Sequence, residues 1–232
     1  RAMSKFIEVI AIVEGKTEQV FIEMVLAPYL AMKNIFVSAT QITKPGQKGG
    51  DVRFVRAKQD IGNHLKQRGD TFVTTFIDYY GTKEWPGLDT LAPAQTPAQI
   101  SEHLHQATKQ AVNELFGGHR SEERFIPYVA MHEFEALLFS DSEVLSTEMN
   151  IGLDVVEAVL TECGEPEYIN NGPETAPSKR LDKWAPYGKF AKTTTGIAIA
   201  QRISIQKMRE MCPLFNGWLE QLETKLEEQN EA

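Results

Sequence analysis

The sequence is poor in cysteine: Cys163 and Cys212 are the two cysteines in 232 residues, and they lie far apart. Without a Cys-x-x-Cys spacing they argue against a disulfide-rich fold and a cysteine-based zinc site, and they favour a reducing compartment. The sequence also lacks an apolar run close to the roughly 18 residues of a membrane span, and its first residues lack the pattern of a signal peptide. We therefore expect a cytoplasmic protein with no membrane contact.

Positive charge is also scarce. The chain has 24 Lys and Arg against 32 Asp and Glu, a net charge of -8, so any contact with nucleic acid must be local. No Lys or Arg occurs between Phe125 and Ser178, whereas the basic segment Lys179–Arg209 holds eight cations and one anion. This segment either neutralises the acidic stretch inside the fold or binds the phosphates of a nucleic acid. Three aromatic residues accompany its cations: Trp184, Tyr187 and Phe190.

Two nucleotide-binding motifs are missing. Gly15-Lys16-Thr17 resembles the end of a Walker A loop, but the glycine required five positions before Gly15 is replaced by Ile10. The Gly-x-Gly-x-x-Gly pattern of dinucleotide-binding folds does not occur either. The sequence therefore predicts neither a P-loop nor a dinucleotide site.

Strand-like and helix-like segments alternate in the first part of the chain, which predicts an α/β fold with a mostly parallel sheet flanked by helices. After Asp141 the strand signal ends, and apolar residues at helical spacing from Ile205 to Leu226 predict a helix divided or kinked at Cys212-Pro213. We expect an α/β domain over residues 3–141 and a helical extension over 142–232 packed on it. The apolar stripe of the extension either closes the core or forms a homodimer. The predicted strands are Val9–Val13, Ile35–Ile42, Thr71–Asp78 and Phe125–Met131, and residues 43–50 are predicted to form a basic loop.

Carboxylates follow three of these strands. Glu14 follows the first strand, Asp78 ends the third, and Glu133 and Glu135 follow the fourth. Parallel strands bring these ends to one edge of the sheet, where α/β proteins bind ligands. A divalent cation would remove the repulsion between such carboxylates, and oxygen ligands alone suit Mg²⁺ or Mn²⁺ rather than zinc. The alternative is that Asp78 caps a turn and that Glu133 and Glu135 cap the next helix.

The turn after the first strand contains further signals. Gly15 permits a tight turn, and Thr17 is predicted as the N-cap of the following helix. His132, at the end of the fourth strand, is either a base or ligand, or a histidine with a satisfied hydrogen bond.

The motif Val13-Glu14-Gly15-x-Thr17-Glu18 after an apolar strand, together with the strand that ends at Asp78, resembles a Toprim domain. This is the Rossmann-like module of topoisomerases, DnaG-type primases and OLD-type nucleases. Together with the Val-Glu-Gly-x-Thr-Glu motif, four further stretches are similar to a bacterial family of unknown function in the Toprim-like superfamily, whose members are often encoded beside AAA/ABC-type ATPases, as in anti-phage defence operons. These stretches are Ile77 to Gly81, His132 to Phe139, Ala176 to Arg180 and Cys212 to Leu219.

The resemblance implies roles for individual residues. Glu14 takes the place of the Toprim glutamate, a general acid/base or metal ligand, and Asp78 takes the place of the first aspartate. The second aspartate position carries Tyr80, so either Glu133 or Glu135 completes the metal shell, or the metal site is weakened or lost. The resemblance places Lys179 and Arg180 on a substrate phosphate.

Two functions follow from the resemblance. The first is a Mg²⁺-dependent or Mn²⁺-dependent phosphodiester hydrolase or nuclease subunit that acts with an AAA/ABC-type ATPase, in anti-phage defence. The second is a non-catalytic Toprim-like binding or effector module that the ATPase regulates. The substrate of the first function stays open between DNA, RNA and a small nucleotide.

Overall fold

The fold is built on a sheet of five strands in a computed structural model that describes residues 5–42, 52–170 and 172–231. Its strand order is β2-β1-β3-β4, β5 also pairs with β3, and these pairings are parallel. The predicted α/β fold is therefore confirmed, while the loop predicted at residues 43–50 lies outside the described residues. The strands are β1 (Ile7–Val13), β2 (Ile35–Gln41), β3 (Thr71–Asp78), β4 (Phe125–Ile126) and β5 (Val129–Ala130).

Helices cover both faces of this sheet and form the whole C-terminal part of the described chain. The α-helices are α1 (Lys16–Phe21), α2 (Ala27–Ala31), α3 (Phe54–Gln67), α4 (Pro97–Phe116), α5 (Ser121–Arg124), α6 (Ser142–Met149), α7 (Leu153–Cys163), α8 (Pro177–Trp184), α9 (Ile197–Ile203), α10 (Ile205–Met211) and α11 (Pro213–Glu231). Short 3₁₀ segments are Leu88–Thr90, Gly117–His119, Phe134–Ser140, Pro166–Tyr168 and Pro186–Gly188, and π-helical turns are Ile22–Leu26 and Lys192–Gly196.

The register of the central strands determines which residues meet at the edge of the sheet. Val13, the last residue of β1, lies opposite Phe76 of β3. Further along β3, Asp78 lies opposite Ala130 of β5. The three strands therefore end side by side, and Glu14 follows directly after the first of them.

Several local predictions are corrected by the structure. Helix α1 begins at Lys16 with Gly15 as its N-cap, so the predicted N-cap at Thr17 is wrong. The predicted fourth strand is divided into β4 and β5, because Pro127 has no N–H to donate to a sheet ladder. The stretch from residue 164 to 195 is rich in Pro, Gly and Asn, a composition typical of turns, yet it contains the two-turn helix α8.

The apolar stripe of the helical extension packs on the sheet. The Trp218 indole lies parallel to the Tyr128 ring, with 4.4 Å between ring centroids, and its Nε1 donates to Thr74 Oγ1 at 2.9 Å. One buried apolar cluster runs from Ile7 in β1 to Leu222 in α11. Of the two alternatives for this stripe, core closure is therefore the one observed. Cys212-Pro213 separates α10 from α11, as predicted.

A buried carboxylate fixes the start of α11. Glu167 accepts hydrogen bonds from the N–H of Leu214 at 2.8 Å and of Phe215 at 2.9 Å. Burial raises the pKa of Glu167 to about 7, against these two hydrogen bonds, which lower it. A helix N-terminus has free N–H groups and a positive dipole end, so Glu167 acts as a cap supplied from a distant part of the chain.

Candidate functional site

Five carboxylates, which we call the acidic cluster, interact electrostatically at the carboxyl edge of the sheet: Glu14, Glu18, Asp78, Glu133 and Glu135. Glu14 follows β1 and is half-buried. Asp78 ends β3, and its Oδ1 accepts the N–H of Phe134 at 2.8 Å. This bond ties β3 to the 3₁₀ segment that follows β5, so Asp78 caps the start of a segment that is distant in sequence.

Glu133 is held by the start of α8. Its two carboxylate oxygens accept the N–H of Ser178 at 2.8 Å and the hydroxyl of Ser178 at 2.9 Å. Glu133 therefore caps a distant helix rather than the segment that follows it. Each oxygen retains a lone pair, but the carboxylate is fixed in position by these two bonds.

Glu135 is the most enclosed carboxylate of the cluster, with a side chain that is 2% exposed. Its Oε1 lies 2.5 Å from the Lys192 ammonium. Its Oε2 is buried and has no hydrogen-bond partner. A buried, unpartnered carboxylate oxygen is costly, so this atom is the clearest vacant acceptor at the edge of the sheet.

Glu18 also belongs to the cluster, although the sequence analysis did not single it out. The first turn of α1 returns its carboxylate toward the end of β1, where Oε2 accepts the Gly15 N–H at 3.0 Å. It is buried, with 7% exposure. The available signal was its place in the Val-Glu-Gly-x-Thr-Glu motif, at the third position of α1, where a glutamate returns to the N–H of the N-cap residue.

The charges of the cluster oppose one another. The pKa of Asp78 is raised well above its usual range, first by burial and then by the charges of the other four carboxylates. Burial raises the pKa of Glu18 and of Glu133, and the charge of Glu135 adds to both shifts. Such a group of acids favours a cation.

Lys192 supplies positive charge to this site. Burial alone would lower the pKa of its ammonium, but the carboxylates of Glu135, Glu133 and Asp78 outweigh burial and raise the pKa. In the sequence Lys192 is one of the eight cations of the basic segment, with no separate predicted role. Nothing in the local pattern distinguishes it from its neighbours.

Of the two cations predicted to contact phosphate, Arg180 is engaged in other contacts. Arg180 donates from Nε to the carbonyl oxygen of Thr175 at 2.9 Å, and its guanidinium lies 3.4 Å from Glu162 of α7. Lys179 is half-buried on α8. Both follow Ser178, which contacts Glu133, but the ion pair that reaches the acidic cluster is made by Lys192.

Most of the basic segment is neutralised within the chain. Five of its eight cations form ion pairs with described carboxylates: Arg180, Lys183, Lys192, Arg202 and Arg209. Of the three aromatic neighbours, Phe190 is buried and Trp184 packs against Phe139, with 5.8 Å between ring centroids. Tyr187 is fully exposed, at a φ of 61°. Four of these pairs are with the acidic stretch, so the internal interpretation accounts for half of the eight cations. Of the three aromatic residues, Tyr187 is the one open to a ligand.

Two other residues at this edge have backbone or packing roles. The N–H of Tyr80 donates to the carbonyl oxygen of His132 at 2.8 Å, which continues the pairing beyond β3. His132 is buried, and its Nδ1 has no hydrogen-bond partner. Burial lowers the pKa of His132 to about 4, so its imidazole is neutral at pH 7 and adds no positive charge to the cluster.

The cluster suits a hard divalent cation in its chemistry but not in its present arrangement. Carboxylate oxygens are the ligands of Mg²⁺ and Mn²⁺, and Glu135 Oε2 is an acceptor in need of a partner. Among the residues described, however, no group of three or more His, Cys, Asp or Glu side chains is placed to hold a metal ion. In this arrangement the lysine ammonium occupies Glu135 Oε1.

Fold and site together define an α/β protein with a largely buried acidic cluster and a lysine at the carboxyl ends of parallel strands. A family model described as "Domain of unknown function (DUF4276)" matches residues 13–223, which include the whole acidic cluster and Lys192. The chain belongs to this family. No curated protein and no solved structure matches the chain. Within the described part of the chain, no helix has both the length and the apolar character needed to cross a bilayer.

Proposed function

We propose that the chain is a Toprim-like, Mg²⁺-dependent or Mn²⁺-dependent phosphodiester hydrolase, a nuclease subunit. The observation that supports this most is the buried, unpartnered Oε2 of Glu135 within a cluster of five interacting carboxylates. The position of the cluster agrees with the proposal, because ligands of α/β sheets bind beyond the carboxyl ends of the strands.

The proposed ligands are Glu14, Asp78 and Glu135, with Glu133 as the fourth candidate. Glu18 is added to them, since it lies within the charge network of Asp78 and compensates for the missing carboxylate at Tyr80. The bound cation would supply charge neutralisation for a phosphate and activation of a water molecule. Glu14, the more accessible acid at the end of β1, is proposed as the general base or ligand.

The residues around the cluster have supporting roles in this proposal. Ser178 fixes Glu133 through two hydrogen bonds, and Asp78 is oriented by the Phe134 N–H. Lys179 and Arg180 remain the proposed phosphate contacts, although Arg180 has to leave the Thr175 carbonyl oxygen to reach a substrate. An AAA/ABC-type ATPase partner and a role in anti-phage defence are proposed from the resemblance to the bacterial family alone.

Plasmid cleavage with Mg²⁺ or Mn²⁺, with and without the ATPase, tests the proposal. We expect Glu14→Gln to lower cleavage by about 100-fold or more, the usual contribution of a general base. Glu8→Gln is the matched control, because Glu8 lies on the same strand and pairs with Arg68 at the opposite edge of the sheet. Cleavage equal in both variants, or absent under every condition, refutes the catalytic proposal. Replacing the plasmid by RNA or by small nucleotides identifies the substrate class.

A second function, a non-catalytic binding module, is favoured by one observation: the described acidic residues are not arranged to hold a metal ion. Calorimetric titration with Mn²⁺ separates the two functions. The hydrolase predicts Mn²⁺ binding that Asp78→Asn abolishes, whereas the binding module predicts no uptake of Mn²⁺ by either protein.

A further inference from the structure

We propose that Lys192 is a built-in counter-ion that closes the acidic cluster and competes with a divalent cation for Glu135. This inference rests on the proposed metal site and adds a regulatory step to it. The ammonium on Oε1 then opposes a metal on the free Oε2, so the chain has a closed state, held by the ammonium, and an open state, in which the lysine side chain has left and the metal is held more tightly.

The ion pair between Lys192 and Glu135 joins a surface side chain to a buried one. Lys192 Nζ lies 2.5 Å from Oε1 of a carboxylate that is 2% exposed, while the lysine side chain is 43% exposed. The carboxylate is thus fixed inside the protein, and its partner reaches it from the surface. An ammonium ion satisfies one oxygen only, and Oε2 stays without a partner. The closed state therefore neutralises Glu135 incompletely.

The turn that carries Lys192 allows its side chain to move. Lys192 is the first residue of the π-helical turn Lys192–Gly196, which lies against α1 and leads into α9. The end of the turn is fixed, because Gly196 is buried and a Cβ atom there would come within 3.2 Å of the Phe190 ring. Thr193 and Thr194 are exposed. A flexible four-carbon side chain on such a turn can swing into solvent while α9 stays in place.

The positive charge of Lys192 opposes a divalent cation at Glu135. A divalent cation that used Glu135 would have to bind close to the oxygen that now holds the ammonium, and the two cations would repel each other. The lysine and the metal therefore weaken each other's binding to this one carboxylate. By linkage, a bound metal weakens the Lys192–Glu135 contact by the same factor by which that contact weakens metal binding.

Calorimetric titration with Mn²⁺ of the full chain tests this competition. Lys192→Met keeps the length of the side chain and removes its charge, and we expect Mn²⁺ affinity to rise by about 5-fold to 150-fold, the usual range for coupled ligands. Lys192→Arg keeps the charge and should bind Mn²⁺ no more tightly than the unmodified chain. Lys189→Met is the control, since Lys189 is an exposed cation of the same segment, three residues earlier.

Thermal unfolding gives a second readout that does not depend on activity. Without metal, Lys192→Met should unfold at a lower temperature than the unmodified chain, and Mn²⁺ should raise its midpoint by more. If the unmodified chain binds Mn²⁺ and Lys192→Met binds it equally or more weakly, the counter-ion inference is wrong and the metal site stands. If neither protein takes up Mn²⁺ while Lys192→Met is folded by circular dichroism, the metal site and the inference both fail.

Discussion

Replacing Glu167 by Gln should change how the stability of this protein depends on pH. The folded-state pKa of Glu167 is about 7, raised from the ordinary 4.5 chiefly by burial. Between these two values the folded chain holds a proton that the unfolded chain has released. The stability that Glu167 contributes is therefore fully present below pH 4.5 and is lost as pH rises through about 7.

The size of the effect follows from this shift. A difference of about 2.5 pH units at about 1.36 kcal/mol each gives roughly 3 kcal/mol. In the Glu167→Gln variant this group does not titrate, so the variant should lose less stability than the unmodified chain as pH rises. The two free energies of unfolding should differ by about 3 kcal/mol more at pH 7.5 than at pH 4.5, in favour of the variant at the higher pH.

Urea denaturation at half-unit steps from pH 4.5 to 8 measures this difference. Glu165→Gln is the control, because Glu165 is exposed and lies two residues away. Other raised carboxyl groups, such as Asp78, act equally in both proteins and cancel in the comparison. Parallel pH profiles for the unmodified chain and Glu167→Gln, within about 1 kcal/mol, would refute the assignment of a neutral folded-state Glu167 near pH 6.

Two further predictions concern the site itself. Without metal, Asp78→Asn should raise the free energy of unfolding by about 0.5–2 kcal/mol, because a repelled charge is removed while Oδ1 still accepts the Phe134 N–H. With saturating Mn²⁺ the unmodified chain should become the more stable of the two proteins. A thermal shift assay in which Mn²⁺ does not reverse the order of stability contradicts this prediction. Tyr187→Ser should weaken binding of a single-stranded oligonucleotide by about 1–3 kcal/mol, the value of one stacked base. Tyr168→Ser, at a tyrosine that is 41% exposed beside acidic residues, should leave the affinity unchanged in fluorescence anisotropy.

The positions of Glu14 and Asp78 could be predicted because they depend on short-range pattern. The apolar, β-branched residues of β1 and β3 mark buried strands, and the helices between them require parallel pairing. Parallel pairing alone then places the two carboxylates at one edge. Their convergence needs no knowledge of side-chain packing.

Glu18, Ser178 and Lys192 could not be placed by the same reasoning. Glu18 reaches the strand end through the orientation of the first turn of α1, which depends on how that helix packs. Helix α8 has two turns within a stretch rich in Pro, Gly and Asn, so local composition favoured turns over the helix that carries Ser178. The Lys192 contact joins a C-terminal turn to the strand edge, and such contacts are set by the tertiary fold.

Ion pairs within the chain reduce the positive charge that is left for binding a nucleic acid. Five cations of the basic segment already neutralise carboxylates of this chain, and the net charge of the whole is -8. Affinity for a long nucleic acid grows with the number of phosphates that cations neutralise. Because few cations of this segment are left for that purpose, we expect weak binding of nucleic acid by the chain alone. A partner that supplies positive charge would strengthen this binding. In this proposal the ATPase holds the substrate while the acidic cluster acts on it.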